Sequence, residues 1–121
     1  MTKSFDLQER TAKFGEDIID LCKSIKQNAI SQPIINQIVR SGTSIGANYA
    51  EANGASSKKD FKNKIHIAKK ECEETKHWLR MLFKCSPEHK AKIELLWKEV
   101  QELTLIFGKS LRTMSDTSNK P

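Results

Sequence analysis

Glu74-Thr75-Lys76-His77 sets a carboxylate and an imidazole one helical turn apart, the Glu-x-x-His spacing with which carboxylate-bridged di-iron bundles hold metal. Such a centre needs a second copy of the motif and two further glutamates on the same core face. This chain has one copy, and Glu74 and His77 fall off the apolar stripe that runs through Phe61, Ile65 and Leu79, so the spacing reads as coincidence. His66 and His89 have no Cys, His or acid at ligand spacing. Thr43 and Ser44 lack a histidine in their own segment to serve as a base. Gly42 and Gly46 do not follow a strand, as the glycines of a phosphate loop do. No catalytic residue, metal or cofactor is assigned, and the chain is expected not to be an enzyme.

Charge offers a different chemistry. Between Lys58 and Lys84 nine bases face four acids, so this segment holds five of the six excess positive charges of the chain. At 100° per residue, Lys58, Lys62, Lys69, Lys76 and Arg80 fall within roughly 40° of one another, beside the apolar stripe. The line would extend about 33 Å at ~1.5 Å per residue. That length could follow a nucleic-acid backbone across several phosphates, each adding a salt-sensitive contact. Lys58, Lys59, Lys62, Lys69, Lys76 and Arg80 are the contact candidates. No helix-turn-helix, zinc-finger or RNA-binding sheet pattern is present, and neither tryptophan has an obvious stacking place, so binding would track backbone and shape. A solvated lysine face with no ligand remains the plain alternative.

A second polar feature lies upstream. Ile34, Ile38, Gly42, Ile45, Tyr49 and Ala52 keep the 4, 4, 3, 4, 3 spacing of one helix face, and Arg40, Ser44, Asn48 and Glu51 keep the same spacing on another. Glycine in a helix interior costs roughly 1 kcal/mol relative to alanine. Gly42 and Gly46 therefore call for a close backbone neighbour, or else a ligand on that face.

Four helices must position these residues. The first is expected from about Asp6 to Lys26, with Leu7, Thr11, Phe14, Ile18, Leu21 and Ile25 as its stripe. Pro33 suits the first turn of the second, which runs to about Ala52 and closes at Asn53-Gly54 in left-handed dihedrals. Ser57 caps the third, with Asp60 reaching back, and its stripe of Phe61, Ile65, Ala68, Cys72, Thr75, Leu79 and Leu82 continues to about Lys84. Ser86-Pro87-Glu88 restarts the chain with a cap, a first-turn proline and a first-turn acid. The fourth stripe is Ile93, Leu96, Val100, Leu103, Phe107 and Met114. Short connections force neighbours antiparallel, so the fold class is all-α, an antiparallel up-down-up-down four-helix bundle over residues 1–114, followed by a flexible C-terminal tail over 115–121.

With 121 residues, a net charge of +6 and a pI near 9.3, one core and an anionic partner are the expectation. Cys22, Cys72 and Cys85 share no CxxC spacing and read as apolar fillers in a reducing compartment. The first residues show no signal pattern and no run of ~20 apolar residues occurs, so the expectation is a soluble cytoplasmic protein, away from membrane. Leu95, Trp97, Leu105, Ile106, Ile67, Trp78 and Met81 lie outside the main stripes. That surplus predicts self-association.

Arg40, Ser44-Ile45, Ala47-Asn48 and Ala50-Glu51, followed by Ser57-Lys58-Lys59-Asp60-Phe61 and Ile67-Ala68, resemble the bacterial four-helix-bundle family named after the protein encoded in intervening sequences of 23S ribosomal RNA genes. The resemblance runs from Phe5-Asp6-Leu7 to the end of the fourth helix. Many members have Pro where this chain has Gly46 and Gly where it has Ala52. Members assemble as homopentameric rings. A distant relative, the accessory variability determinant protein of diversity-generating retroelements, is a basic pentamer that binds nucleic acid and a reverse transcriptase. The resemblance thus implies a homopentamer with RNA or DNA, and a reverse transcriptase or other protein, as partners. It also implies that Arg40, Ser44, Asn48 and Glu51 form an intersubunit or interhelical hydrogen-bonding set, because a buried Arg and Glu must be paired. The functional expectation is a non-enzymatic, self-associating module that binds nucleic acid, RNA before DNA, through the third helix. The alternative is a protein-interaction scaffold with no nucleic-acid ligand.

Overall fold

The computed structural model describes residues 3–118, which form four helices and no strand: α1 (Lys3–Lys23), α2 (Ser31–Asn53), α3 (Lys58–Cys85) and α4 (Lys90–Ser118), with a 3-10 turn over Pro87–His89 leading into α4. Each helix packs on the next and α4 returns to α1, which closes an antiparallel up-down-up-down bundle.

The stripes become the core. Phe14, Ile18 and Leu21 of α1, Ile38, Ile45 and Tyr49 of α2, Ile65, Cys72 and Leu79 of α3, and Val100, Leu103 and Phe107 of α4 are all at most 5% exposed. Burying one such side chain contributes roughly 1.5–3 kcal/mol, so several layers together hold the helices. Ile35 rather than Ile34 is the buried isoleucine at the start of α2, and Leu111 joins the α4 stripe between Phe107 and Met114. Rings meet where Tyr49 and Phe107 lie 5.9 Å apart. Inside the core the Ser41 and Thr75 hydroxyls pair at 2.9 Å across α2 and α3.

The helix ends show where local chemistry differs from pattern. α1 stops at Lys23 rather than Lys26, because the chain tightens as Ser24 N–H and Ile25 N–H donate to the carbonyls of Leu21 and Cys22. Ser24 Oγ also takes the Leu21 carbonyl at 2.7 Å. α2 begins two residues before Pro33: Asn28 Oδ1 accepts from the N–H groups of Ile30 and Ser31, while Ser31 Oγ accepts from Asn28 N–H. Asn28 therefore does the capping work, and Pro33 sits inside the first turn, where a missing N–H goes unused.

The expected left-handed closure at Asn53-Gly54 is not what forms. Gly54 has φ −95° and ψ 7°, and no described residue has positive φ; its N–H reaches the carbonyls of Ala50 and Glu51, continuing the helical turn. Ser57 Oγ does accept from Asp60 N–H at 3.0 Å. Ser86 makes no side-chain cap, being buried at 5%. α4 extends through Ser118, past Met114, and the last residues of the expected tail, 119–121, lie outside the described residues.

Glycine lets α1 and α2 approach closely. A Cβ at Gly46 would lie 3.3 Å from the Thr11 backbone carbon and oxygen, and one at Gly42 would lie 3.0 Å from the buried Ile18 side chain. Close packing is therefore the use of both residues. At Gly15 the nearest atoms are 3.5 Å away, an ordinary contact.

Gly15→Ala and Gly46→Ala should accordingly move stability in opposite directions. The first gains up to ~1 kcal/mol of helix propensity. The second gains the same but must push the Thr11 backbone aside, an overpacking cost of about 1–3 kcal/mol. Urea midpoints of the two variants compare them directly. Burial pushes the Cys22 thiol up to about 11 and the Cys72 thiol up to about 12, while Cys85 is only half-buried. An aromatic disulfide reagent should label Cys85 alone in the native protein and all three thiols after denaturation.

Candidate nucleic-acid interface

Burying the apolar stripe of α3 against α2 and α4 leaves two flanks, and the sequence loads them oppositely. The flank toward α2 is acidic. Arg40 reaches across from α2, Nη1 lying 3.1 Å from Glu71 Oε2 and Nη2 bonding Glu74 Oε1. Trp78 Nε1 donates to the same Glu74 oxygen at 3.4 Å. Burial raises the carboxyl of Glu71 above the usual range, with help from neighbouring Glu74, whereas the Arg40 hydrogen bond lowers that of Glu74. Glu74 is thus half of an interhelical clasp, and among the described residues no group of three or more His, Cys, Asp or Glu side chains is placed to hold a metal ion.

The four polar residues of α2 do not form one buried set. The Arg40 side chain is 45% exposed and that of Glu51 59%, because their face of α2 looks past α3 into solvent. Arg40 pairs with Glu71 and Glu74, and Glu51 accepts from Lys64 Nζ at 3.3 Å, both across to α3. Ser44 and Asn48 bond within α2, to the carbonyls of Arg40 and Ser44 respectively.

The flank toward α4 is basic. α3 is unbroken from Lys58 to Cys85, so Lys58, Lys62, Lys69, Lys76 and Arg80 share one continuous helix edge. Lys59 is exposed one residue-step off that edge. Among the described residues Lys58, Lys59, Lys62, Lys69 and Arg80 form no ion pair. Lys76 differs. Its side chain is 17% exposed, Nζ lies 3.0 Å from Glu73 Oε1, bonds Gln101 of α4, and stands 5.8 Å from the centre of the Trp97 ring. It belongs to the α3–α4 seam.

Most acids of α3 and several of α4 are already in ion pairs, whereas Asp60, beside Lys58 and Lys59 in the first turn of α3, forms none among the described residues. On α3, Glu71 and Glu74 hold Arg40 and Glu73 holds Lys76. On α4, Glu94 pairs with Lys90, while Glu99 and Glu102 hold Arg10 of α1 at 2.7 and 2.6 Å. The hydrogen bonds that Arg10 donates to Glu99 raise its pKa further, so the guanidinium stays charged.

Two α4 residues join the edge that sequence reasoning left out. Arg112 Nη1 lies 3.5 Å, and Lys69 Cε 3.6 Å, from where a Cβ at Gly108 would stand, so the two cations flank that glycine. Trp97 is 42% exposed beside Lys76. Neither was detectable along one helix, because both depend on the register of α4 against α3.

With this geometry in hand, the comparisons with known proteins are specific. The family model described as 23S rRNA-intervening sequence protein matches residues 3–109. No curated protein matches the chain. Among solved structures, a protein of unknown function from the S23 ribosomal protein family of Bacteroides thetaiotaomicron is 32% identical, covering 86% of this chain and 96% of its own, with a TM-score of 0.76. In sequence over almost its whole length and in the packing of its four helices, the chain belongs to the family of 23S rRNA-intervening sequence proteins.

Proposed function

We propose that this protein is a non-enzymatic module that binds nucleic acid, RNA in preference to DNA, through the basic edge of α3. The observation that carries the reading is the allocation of charge: five aligned or adjacent cations stand without an acidic partner among the described residues, while Glu71, Glu73 and Glu74 of the same helix are held by Arg40 and Lys76, leaving Asp60 as the unpaired acid of α3. A line of bases about 33 Å long on one rigid helix, neutralised only at Lys76, matches the repeated negative charge of a phosphodiester backbone. Lysines on such a line position a backbone and read no bases. RNA is favoured because the family model that matches takes its name from an element of 23S rRNA.

The same molecule has apolar surface to spare. Leu95 is 67% exposed, Leu105 60%, and Ile67, Phe83 and Trp97 about 40% each. We propose that copies of this chain associate through part of this surface, in the homopentameric arrangement that the family resemblance implies, which would repeat the basic edge around one assembly. A scaffold that binds only protein would use the same surface and leave the lysines to solubility.

Two measurements test these readings. Affinity for RNA should fall steeply with salt, and Lys62→Glu with Lys69→Glu should weaken binding across all sequences and reduce the log–log salt slope by about two, roughly one per phosphate contact. Binding that is absent or indifferent to salt would dismiss the nucleic-acid reading. Light-scattering mass in solution should give a multiple of the 13.8 kDa chain, and Leu95→Glu with Leu105→Glu should shift it toward the monomer; a wild-type monomer at all concentrations ends the self-association reading.

A further inference from the structure

Trp97 occupies an unusual place for so large an apolar side chain. It remains 42% exposed, it lies at the basic edge, and the Lys76 ammonium stands 5.8 Å from its ring centre. That ammonium is anchored on both sides, by Glu73 on α3 and by Gln101 on α4, so the cation that accompanies the ring is held in place. The contacts of Lys69 with Gly108 and of Lys76 with Gln101 set an antiparallel register that brings Arg80 level with Trp97. Over about 16 Å the groove between α3 and α4 therefore runs from the cations Lys69 and Arg112, past Lys76, to Trp97 with Arg80 level with it on α3.

We infer that this groove takes single-stranded nucleic acid, with Trp97 as the platform for one unpaired base, Arg80 holding the phosphate beside it, and Lys69 and Arg112 holding phosphates farther along the strand. The inference rests on the basic-edge reading above and adds what that reading lacks, a reason to discriminate between strand states. In a duplex the base faces are covered by their neighbours and only edges and phosphates are presented. A single strand can turn a base out, and an aromatic ring set among cations then gains stacking that a duplex cannot supply. Lysines alone would accept either form. Stacking is tolerant of base identity, so strand state rather than sequence is what the groove selects.

The test uses the full chain carrying Trp78→Phe, which leaves Trp97 as the one tryptophan, with an oligouridylate and a perfectly paired RNA duplex of equal phosphate number as probes. Oligouridylate should quench Trp97 emission to saturation. Trp97→Ala should weaken its binding roughly 5- to 150-fold, the range that one stacked base contributes, leave duplex binding unchanged, and be largely rescued by Trp97→Phe. Arg112→Glu should weaken both probes. If Trp78→Phe does not fold, the difference in quenching between wild type and Trp97→Phe reads the same event. Unquenched emission with equal affinity of wild type and Trp97→Ala for oligouridylate overturns the stacking inference and leaves the basic-edge reading standing. Failure of the wild type to bind either probe overturns both. Emission that follows protein concentration and ignores oligonucleotide assigns Trp97 to contact between copies, and it too overturns the inference.

Discussion

One constraint organises this molecule: each helix has a single water-excluding stripe, and all four stripes must face the same axis. Burying Ile65, Cys72 and Leu79 on α3 or Val100, Leu103 and Phe107 on α4 leaves a helix no freedom to rotate, because a turn of even one residue would carry several apolar side chains into water at a cost of roughly 1.5–3 kcal/mol each. Once rotation is fixed, so is the direction in which every flanking side chain leaves its helix. The polar surface is thus a consequence of the core.

That consequence is clearest in α3. Its acids Glu71 and Glu74 emerge toward α2 and meet Arg40, while Lys69 and Lys76 emerge toward α4. On the far side of the bundle, Glu99 and Glu102 leave α4 toward α1 and meet Arg10. Half-exposed pairs of this kind contribute little to stability, on the order of 0–1 kcal/mol each. Their effect is on the field: they tie up most carboxylates of α3 and leave Lys58, Lys59, Lys62, Lys69 and Arg80 without an ion-pair partner among the described residues. A chain of modest excess charge thereby acquires a strongly one-signed edge.

The α1–α2 side shows a different physical economy. There Gly46 rests on the Thr11 backbone and Gly42 on Ile18, and α2 runs unbroken through both glycines. Close approach of two helix backbones replaces large side chains as the means of excluding water. The loss in helix propensity is offset because α2 also packs against α3 along its other side. No described helix is long and apolar enough to cross a membrane.

Read alone, the chain determined its helices, their stripes and the antiparallel bundle, because the period of apolar residues and the short connections are properties of consecutive positions. It also determined that Lys58, Lys62, Lys69, Lys76 and Arg80 share one edge. Helix ends were less legible: Asn28 rather than Pro33 organises the start of α2, and Gly54 closes its end without left-handed dihedrals, since caps depend on single hydrogen bonds that several sequences could supply. Only the tertiary structure decided which charges stay free. Lys76 is drawn into the seam by Gln101 and Trp97, Arg112 enters beside Lys69, and Arg40 is an exposed clasp instead of a buried pair. Each of these outcomes depends on the register between residues dozens of positions apart, which no periodicity along one helix encodes.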